Sequence, residues 1–158
     1  MYTADDLISD FERNRVIVRR HAEGLTHAEG LIQPPGGGNC LNWTIGHLVV
    51  HRNKAIRAAG GESMLTEDQI ARYTNESDPI TADGDDVVDQ ARLLELLDES
   101  QARLAETLSD ADLEAPFETR RGPIPLLQRL HFLYFHDTYH TGQTELHRSL
   151  AGFDDRVI

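Results

Sequence analysis

Apolar side chains recur at helical spacing in four long segments of the chain, and this pattern limits the possible folds more than any other feature. In the third segment, Leu97, Leu104 and Leu108 lie on one face of such a helix. Patterns typical of strands are nearly absent. At 1.5 Å per residue, helices of about 18 to 25 residues form rods of about 27–38 Å. Such rods bury their apolar faces most simply as a four-helix bundle, so we predict an all-α fold of this type.

Turn-forming residues mark where the four predicted helices begin and end. Thr3 and Asp6 form a capping box at the start of the first helix. The prolines and glycines of LIQPPGGGNCL cannot continue a helix, and Ala151 with Gly152 is a fitting stop for the last one. The first helix is predicted to run from Thr3 to about Glu23 or His27, and the second from a cap at Asn39 or Asn42 to the pair Gly60 and Gly61. The third is predicted from about Asp86 to Leu108, and the fourth from about Leu126 to Leu150.

A long connection joins the second and third predicted helices. It covers residues 61–85, and within it TEDQIARY predicts a short helix capped by Thr66. Antiparallel neighbours in bundles are usually joined by about 2–8 residues, so this connection is long enough to travel back along the bundle. We therefore expect the second and third helices to run parallel, in a single domain that spans residues 1–158.

The charge of the chain excludes some partners. It has 15 Lys and Arg residues against 27 Asp and Glu residues, a formal net charge of −12, which repels nucleic-acid phosphates. No apolar run approaches the roughly 20 residues that cross a bilayer. The N-terminal MYTADDLISDFER is acidic where a signal peptide is basic and then apolar, so we expect a cytoplasmic protein without membrane contacts. The single cysteine, Cys40, excludes an internal disulfide and a Cys-x-x-Cys site.

Polar side chains form a stripe along the last predicted helix, in the sequence FHDTYHTGQTELHRS. With about 100° per residue, the members of this stripe fall within about 60° of one another on a helical wheel. They are His136, His140, Gln143 and His147. Phe132, Leu133 and Tyr139 flank them, so the stripe is expected to face the core. An unpaired imidazole is costly there, and something must satisfy the ring nitrogens.

Histidines four residues apart on a helix can ligate one metal ion, because their side chains leave one face a turn apart. Neutral imidazole suits zinc, nickel, copper or Fe(II). The second predicted helix supplies another such pair, His47 and His51, in GHLVVH. The alternative is that carbonyls and carboxylates satisfy these histidines without a metal. The sequence contains no Glu-x-x-His and no His-Glu-x-x-His, which argues against di-iron carboxylate and metalloprotease sites.

Two segments, NWTIGHLVVHRN and FHDTYHTGQTELHRSLAG, resemble the DinB-like (damage-inducible, YfiT-type) superfamily of small metalloproteins. The resemblance implies a four-helix bundle with up-down-down-up topology. It also implies a divalent metal ion held by His47, His136 and His140, which selects His47 over His51 and leaves out His147. Asp137 is a departure, since many relatives have Glu at this position.

Relatives in this superfamily include thiol-dependent transferases and isomerases. The resemblance therefore implies a metal-dependent enzyme, with zinc or nickel activating a low-molecular-weight thiol that attacks a small-molecule substrate. It also implies a homodimer. The alternatives are a hydrolase that uses metal-bound water, or a non-enzymatic stress-response protein with a structural metal. Three residues are candidates for catalysis: His51 as a proton shuttle, Gln143 as a group that orients water or a metal ligand, and Arg129 as a carboxylate holder. For each of the three, a purely structural role is the alternative.

Overall fold

The computed structural model describes residues 2–155 and contains, within them, six helices and a two-stranded sheet. The helices are α1 Ala4–Ala22, α2 His27–Gly30, α3 Leu41–Ala58, α4 Glu67–Tyr73, α5 Gln90–Ser109 and α6 Leu126–Leu150; the strands are β1 Pro116–Phe117 and β2 Ile124–Pro125. The strands pair antiparallel and are only two residues long, so the fold is mostly helical, as predicted. The predicted domain also includes Met1 and residues 156–158, which lie outside the described residues.

Several of the predicted helix ends are confirmed. The capping box of Thr3 and Asp6 opens α1, and Thr66 caps α4. α6 has the predicted bounds, Leu126–Leu150. Gly60 and Gly152 follow α3 and α6 with φ values of +93° and +92°, a conformation that favours glycine and ends a helix.

The predicted cap of α3 is wrong. Cys40 occupies the cap position, without a side-chain hydrogen bond to the helix, in place of Asn39 or Asn42. The Asn42 side chain donates to the carbonyl oxygen of Val88 at 2.9 Å instead. Asn42 thus ties α3 to the start of α5, since a buried amide takes whichever backbone partner the fold brings near it.

The predicted end of α1 is confirmed, whereas the start of α5 differs from the prediction. α1 ends at Ala22 with Glu23 as its C-cap, the earlier of the two predicted ends, and Thr26 forms a second capping box with Glu29 that starts α2. α5 begins at Gln90 rather than near Asp86, because the Asp89 side chain accepts from the backbone N–H of Ala91.

The four long helices pack against one another, with α1 and α3 each contacting both α5 and α6. α3 is the most deeply buried of them, since 15 of its 18 residues are buried. Its polar side chains therefore have to find partners inside the protein. Of the helices within residues 2–155, none is both long and apolar enough to cross a membrane.

A buried ion pair joins three of the long helices. Arg52 of α3 and Asp137 of α6 are 1% and 0% exposed, and their side chains meet through two hydrogen bonds of 2.8 and 3.1 Å. Asn14 of α1 donates to the same carboxylate at 2.8 Å, and Arg52 also donates to the carbonyl oxygen of Phe11 at 2.7 Å. We call Asn14, Arg52 and Asp137 the arginine–aspartate network.

Candidate metal centre

Three histidines meet in the interior, and one of them, His136, directly precedes Asp137 of the arginine–aspartate network in the sequence. His47 comes from α3, and His136 and His140 come from α6. Each offers one ring nitrogen, and these nitrogens all lie within 4.8 Å of one another. Within residues 2–155, no other group of His, Cys, Asp or Glu side chains has this spacing. We call these residues the three-histidine group.

Two hydrogen bonds orient the rings of the group. His47 donates from Nδ1 to the carbonyl oxygen of Tyr73 at 2.7 Å, and His140 donates from Nδ1 to Oε1 of Gln143 at 2.7 Å. A neutral imidazole that donates from Nδ1 keeps a lone pair on Nε2. The Nε2 atom of His47 is 3.4 Å from the Nε2 atom of His136. The group therefore presents ring nitrogens to one another, with no protein donor or acceptor between them.

The position of His47 depends on a contact between α3 and the residue that ends α4. The Tyr73 ring lies directly against Gly46, where an added Cβ would come 2.1 Å from a ring carbon. The Tyr73 hydroxyl donates to Asn42 at 3.1 Å and accepts from the backbone N–H of Val88 at 2.9 Å. Only a glycine at position 46 lets Tyr73 approach closely enough for its carbonyl to reach His47. Sequence reasoning missed Tyr73; a glycine in the middle of a helix beside a candidate ligand was the available signal.

Burial keeps the histidines of the group neutral. It lowers the pKa of His47 to about 3 and that of His136 to about 4, from an ordinary value of 6.5. Burial also lowers the pKa of His140. At neutral pH all three rings carry available lone pairs, which is the form that binds a metal ion.

His51 lies behind the group rather than in it. Its ring stacks on the ring of His136, with centroids 3.7 Å apart and planes inclined by 11°. The Nε2 atom of His51 is 3.3 Å from Nζ of Lys54, and burial lowers the pKa of His51 to about 2. Among the described residues, Nδ1 of His51 has no hydrogen-bond partner.

The other two candidates for catalysis have different surroundings. Gln143 accepts from His140, so the structure places it beside the group and holding one of its rings. The Arg129 guanidinium lies between the rings of Phe117 and Phe132, 5.6 Å from each centroid. Arg129 thus contacts aromatic rings rather than the three-histidine group.

The apolar residues that flank the polar stripe are not all covered. Leu133 is buried as expected, but Phe132 and Tyr139 are 55% and 58% exposed. His147 is buried, with Nε2 3.2 Å from the hydroxyl oxygen of Thr44. Phe132 and Tyr139 therefore lie on the outer surface of α6, while the histidines of the stripe point inward.

A cavity of about 420 Å³ opens over the three-histidine group. Its walls come from the glycine-containing loop at residues 34–39, the first half of α3, and α6. Trp43 forms one wall and stacks on His47, with ring centroids 4.4 Å apart. None of the lining residues is charged. A larger cavity of about 880 Å³ runs along the acidic connection at residues 68–87, away from the histidines.

The chain matches the sequence model of the DinB superfamily over residues 10–144. That match includes α3 with His47 and α6 as far as Thr144. No curated protein matches the chain significantly. Because the matched region covers most of the chain and contains every residue of the three-histidine group, the chain belongs to the DinB superfamily.

Proposed function

We propose that the chain binds one divalent metal ion through His47, His136 and His140. The observation that carries this proposal is the convergence of three neutral ring nitrogens within 4.8 Å. Hydrogen bonds from Nδ1 hold two of the rings with Nε2 directed inward, an arrangement that metal-ligating histidines commonly use. Three imidazole ligands suit zinc, and nickel is the alternative ion.

We propose that the site belongs to a metal-dependent enzyme that activates a low-molecular-weight thiol, as in an S-transferase. Three neutral ligands would leave the charge of a divalent ion uncompensated, and such an ion would lower the pKa of a thiol or water bound to it. The open cavity over the histidines supports a position for such a molecule. Its uncharged walls suit a small, largely neutral substrate.

The cavity walls also bear on the alternatives. A hydrolase that uses metal-bound water commonly has a carboxylate nearby as general base, and the lining residues include no Asp or Glu. A purely structural metal in a non-enzymatic stress-response protein is normally enclosed by four protein ligands, whereas this group has three and lies beneath an open cavity. Both observations favour the thiol-dependent enzyme.

Within this proposal Gln143 positions His140, and His51 supports the ring of His136 from behind. The contact of His51 with Lys54 favours this supporting role over proton transfer to a substrate. Arg129 is given no part in the reaction, because its surroundings are the rings of Phe117 and Phe132.

We also propose an up-down-down-up order for the four long helices. Side-chain contacts between them support it. In the pairs that join α1 to α6, and in those that join α3 to α5 or to the residues just before α5, both residue numbers rise together. Between α3 and α6 the numbers run in opposite directions. These pairs are Asn14 with Asp137, His21 with Thr144, Asn42 with Val88, Arg52 with Gln101, Thr44 with His147, and Arg52 with Asp137.

The proposed partners are a small-molecule substrate and a second copy of the chain, in the cytoplasm. Nucleic acid and membranes are not among them. The net charge of −12 opposes phosphate binding.

Metal analysis of the protein purified without an affinity tag tests the site. We expect about one zinc or nickel ion per chain, and the loss of this ion in His140→Ala. His131→Ala is the matched control, because His131 is an exposed histidine on the same helix. Full metal content in the double variant His136→Ala, His140→Ala would contradict the proposed ligands.

Turnover assays test the reaction. The metal-loaded protein is incubated with a panel of electrophiles such as 1-chloro-2,4-dinitrobenzene, with and without glutathione or cysteine. We expect product only when both thiol and metal are present, and none with His140→Ala. Hydrolysis of ester substrates without added thiol would support the hydrolase instead, and no turnover in either panel would favour the structural metal.

A further inference from the structure

A second polar pair lines the cavity over the three-histidine group. Thr44 of α3 and His147 of α6 are 1% and 6% exposed, and both contribute to the wall of this cavity. The hydroxyl oxygen of Thr44 lies 3.2 Å from Nε2 of His147. We call these two residues the threonine–histidine pair. Neither of them has a part in the reaction proposed above, so the pair needs its own explanation.

The hydroxyl group of Thr44 fixes the tautomer of His147. This hydroxyl donates its proton to the carbonyl oxygen of Cys40 at 2.9 Å, so its oxygen can only accept from the imidazole. Nε2 of His147 therefore carries the ring proton and donates it to Thr44. Burial lowers the pKa of His147 to about 4, so the ring is neutral at pH 7 and Nδ1 keeps a lone pair.

Nδ1 of His147 is an unused hydrogen-bond acceptor. It is buried and has no partner among the described residues. An unpaired lone pair of this kind costs free energy, which a hydrogen bond from a ligand recovers. His21 makes the contrast clear, since it is bonded to Thr144 at 2.7 Å and its Nε2 also lacks a partner within residues 2–155. Of these two histidines, only His147 lines the cavity, where a ligand fits.

The threonine–histidine pair lies along the cavity from the three-histidine group. Thr44 precedes His47 by three residues, and His147 follows His140 by seven. At 1.5 Å per residue these intervals correspond to about 4.5 and 10.5 Å of helix. A ligand atom at the three-histidine group is therefore roughly 5–10 Å from a second ligand group that bonds to His147. An extended chain covers this distance in about four to eight bonds.

The uncharged walls limit which donor fits at this position. An ammonium group next to Nδ1 would remain an unpaired charge, because no Asp or Glu lines the cavity. A carboxylate or phosphate would place its own lone pairs against that of Nδ1. A hydroxyl or an amide N–H supplies a proton without a charge and is the donor that suits the pair.

We propose that the threonine–histidine pair is a second binding subsite of the cavity, and that Nδ1 of His147 accepts a hydrogen bond from an uncharged hydroxyl or amide N–H of the bound small molecule. The substrate class is then a molecule with such a donor about four to eight bonds from the atom held at the three-histidine group. The placement of that atom rests on the proposed function, whereas the acceptor on His147 does not. A buried acceptor is selective, because a ligand without the donor leaves it unpaired.

A matched pair of thiols tests the subsite. 6-Mercapto-1-hexanol carries a hydroxyl within the proposed range from its sulfur, and its O-methyl ether has the same chain without the O–H. Both are titrated into the zinc-loaded protein while the fluorescence of Trp43 is followed, since Trp43 is the single tryptophan of the chain and lines the cavity. We expect the alcohol to bind about fivefold to tenfold more tightly than the ether.

Two variants locate the source of this preference. His147→Phe keeps a planar ring but has no acceptor, so the alcohol and the ether should bind to it with equal affinity. His21→Phe is the matched control, because it removes the other buried histidine–threonine bond away from the cavity and should keep the preference. Circular dichroism checks that both variants are folded. Equal affinities in the native protein, or a preference that persists in folded His147→Phe, would overturn the subsite.

The native protein also allows a test that needs no thiol. Nuclear magnetic resonance of the protein labelled with nitrogen-15 histidine shows which ring nitrogen is protonated. We expect the Nε2–H tautomer for His147 and the Nδ1–H tautomer for His21, whose partner Thr144 donates to the carbonyl oxygen of Thr141. The Nδ1 resonance of His147 should shift on titration with 1-hexanol and stay unchanged with 1-methoxyhexane.

The resonance experiment separates the subsite from the thiol-dependent function. An Nδ1–H tautomer of His147, or no shift of its Nδ1 resonance with 1-hexanol, would overturn the subsite. A shift with 1-hexanol in a protein that binds neither thiol would refute the thiol-dependent function and leave the subsite standing.

Discussion

Two buried polar clusters lie side by side between α3 and α6, and they are built from neighbouring residues of the chain. Arg52 follows His51, and Asp137 follows His136. In the arginine–aspartate network the charges are paired and the donors find acceptors, across three helices. In the three-histidine group, ring nitrogens of His47 and His136 face each other at 3.4 Å.

This difference indicates that the first cluster stabilises the fold and that the second is suited to bind a ligand. A buried charged pair that is fully hydrogen-bonded holds helices in register, and nothing else can bind to it. In the three-histidine group, Nδ1 of His136 has no hydrogen-bond partner among the described residues, and the Nε2 atoms of His47 and His136 have only a long contact of 3.4 Å with each other. Poorly satisfied buried imidazole nitrogens cost free energy, which a ligand such as a metal ion can return on binding. The group that is incomplete within the chain is therefore the one that is suited to a ligand.

Asp137→Ala breaks the satisfied cluster and should have the largest effect. It leaves the Arg52 guanidinium buried without its carboxylate, so we expect the free energy of unfolding of the metal-free protein to fall by about 3–5 kcal/mol. Urea denaturation measures this change. Asp98→Ala removes a surface partner of Arg15 and Arg19 and should cost at most about 1 kcal/mol. Equal losses in the two variants would mean that the network has no special structural role.

Gly46→Ala should disrupt the contact between Gly46 and the Tyr73 ring, which positions His47. The new Cβ would lie 2.1 Å from the buried Tyr73 ring, so we expect a loss of about 1–3 kcal/mol from overpacking. Because the Tyr73 carbonyl accepts from His47, metal affinity should fall as well, measured by competition with a chelator. Gly36→Ala is the control, since a Cβ there meets no atom. Unchanged metal affinity in a destabilised Gly46→Ala protein would show that Tyr73 does not position the ligand.

Much of the fold could be read from local patterns. The bounds of α6 and the capping box at Thr3 were predicted because apolar periodicity and capping residues act over a few neighbours. The cap of α3 was not, because Asn42 is used by a partner that is 46 residues away. Local rules do not contain such long-range competition for a side chain.

The site shows the same limit more sharply. Helical spacing placed His136 and His140 on one stripe, but the choice of His47 over His51 came from the family resemblance. Sequence reasoning missed Tyr73, because its contribution is a backbone carbonyl and the glycine at position 46 signals only that some group approaches α3 closely. The wheel placed apolar residues beside the stripe without showing which of them are covered, and Tyr139 is 58% exposed.

The pH dependence of the unfolding free energy should show how much the burial of a histidine outside the metal site destabilises the protein at acidic pH. Burial lowers the pKa of His147 from 6.5 to about 4. Between these values the unfolded chain binds a proton at this residue and the folded chain does not. Stability therefore falls by about 1.4 kcal/mol per pH unit as the pH drops from 6.5 towards 4, or about 2 kcal/mol at pH 5. Above pH 6.5 the residue is neutral in both states and has no such effect.

His147→Gln should remove this component of the acid sensitivity. The difference in unfolding free energy between the native protein and the variant should then shift by about 2 kcal/mol in favour of the variant from pH 7 to pH 5. Urea denaturation at the two pH values measures it, with exposed His131→Gln as the control for losing one histidine. A difference that is independent of pH would show that His147 is not a source of acid sensitivity.

Gln143 offers the finest test of the comparison, because within residues 2–155 it is the one side chain whose amide oxygen accepts from a member of the three-histidine group. Gln143→Ala removes the acceptor of the His140 Nδ1–H, and we expect metal affinity to fall about tenfold, equivalent to about 1.4 kcal/mol. Gln143→Glu restores an acceptor with a negative charge and should bind the ion at least as tightly as the native protein. Calorimetric titration with zinc measures both, and Gln128→Ala, on the exposed surface of α6, should leave the affinity unchanged. If Gln143 only fills space, both variants should bind zinc more weakly than the native protein. If it orients the ring of His140, only Gln143→Ala should bind zinc more weakly.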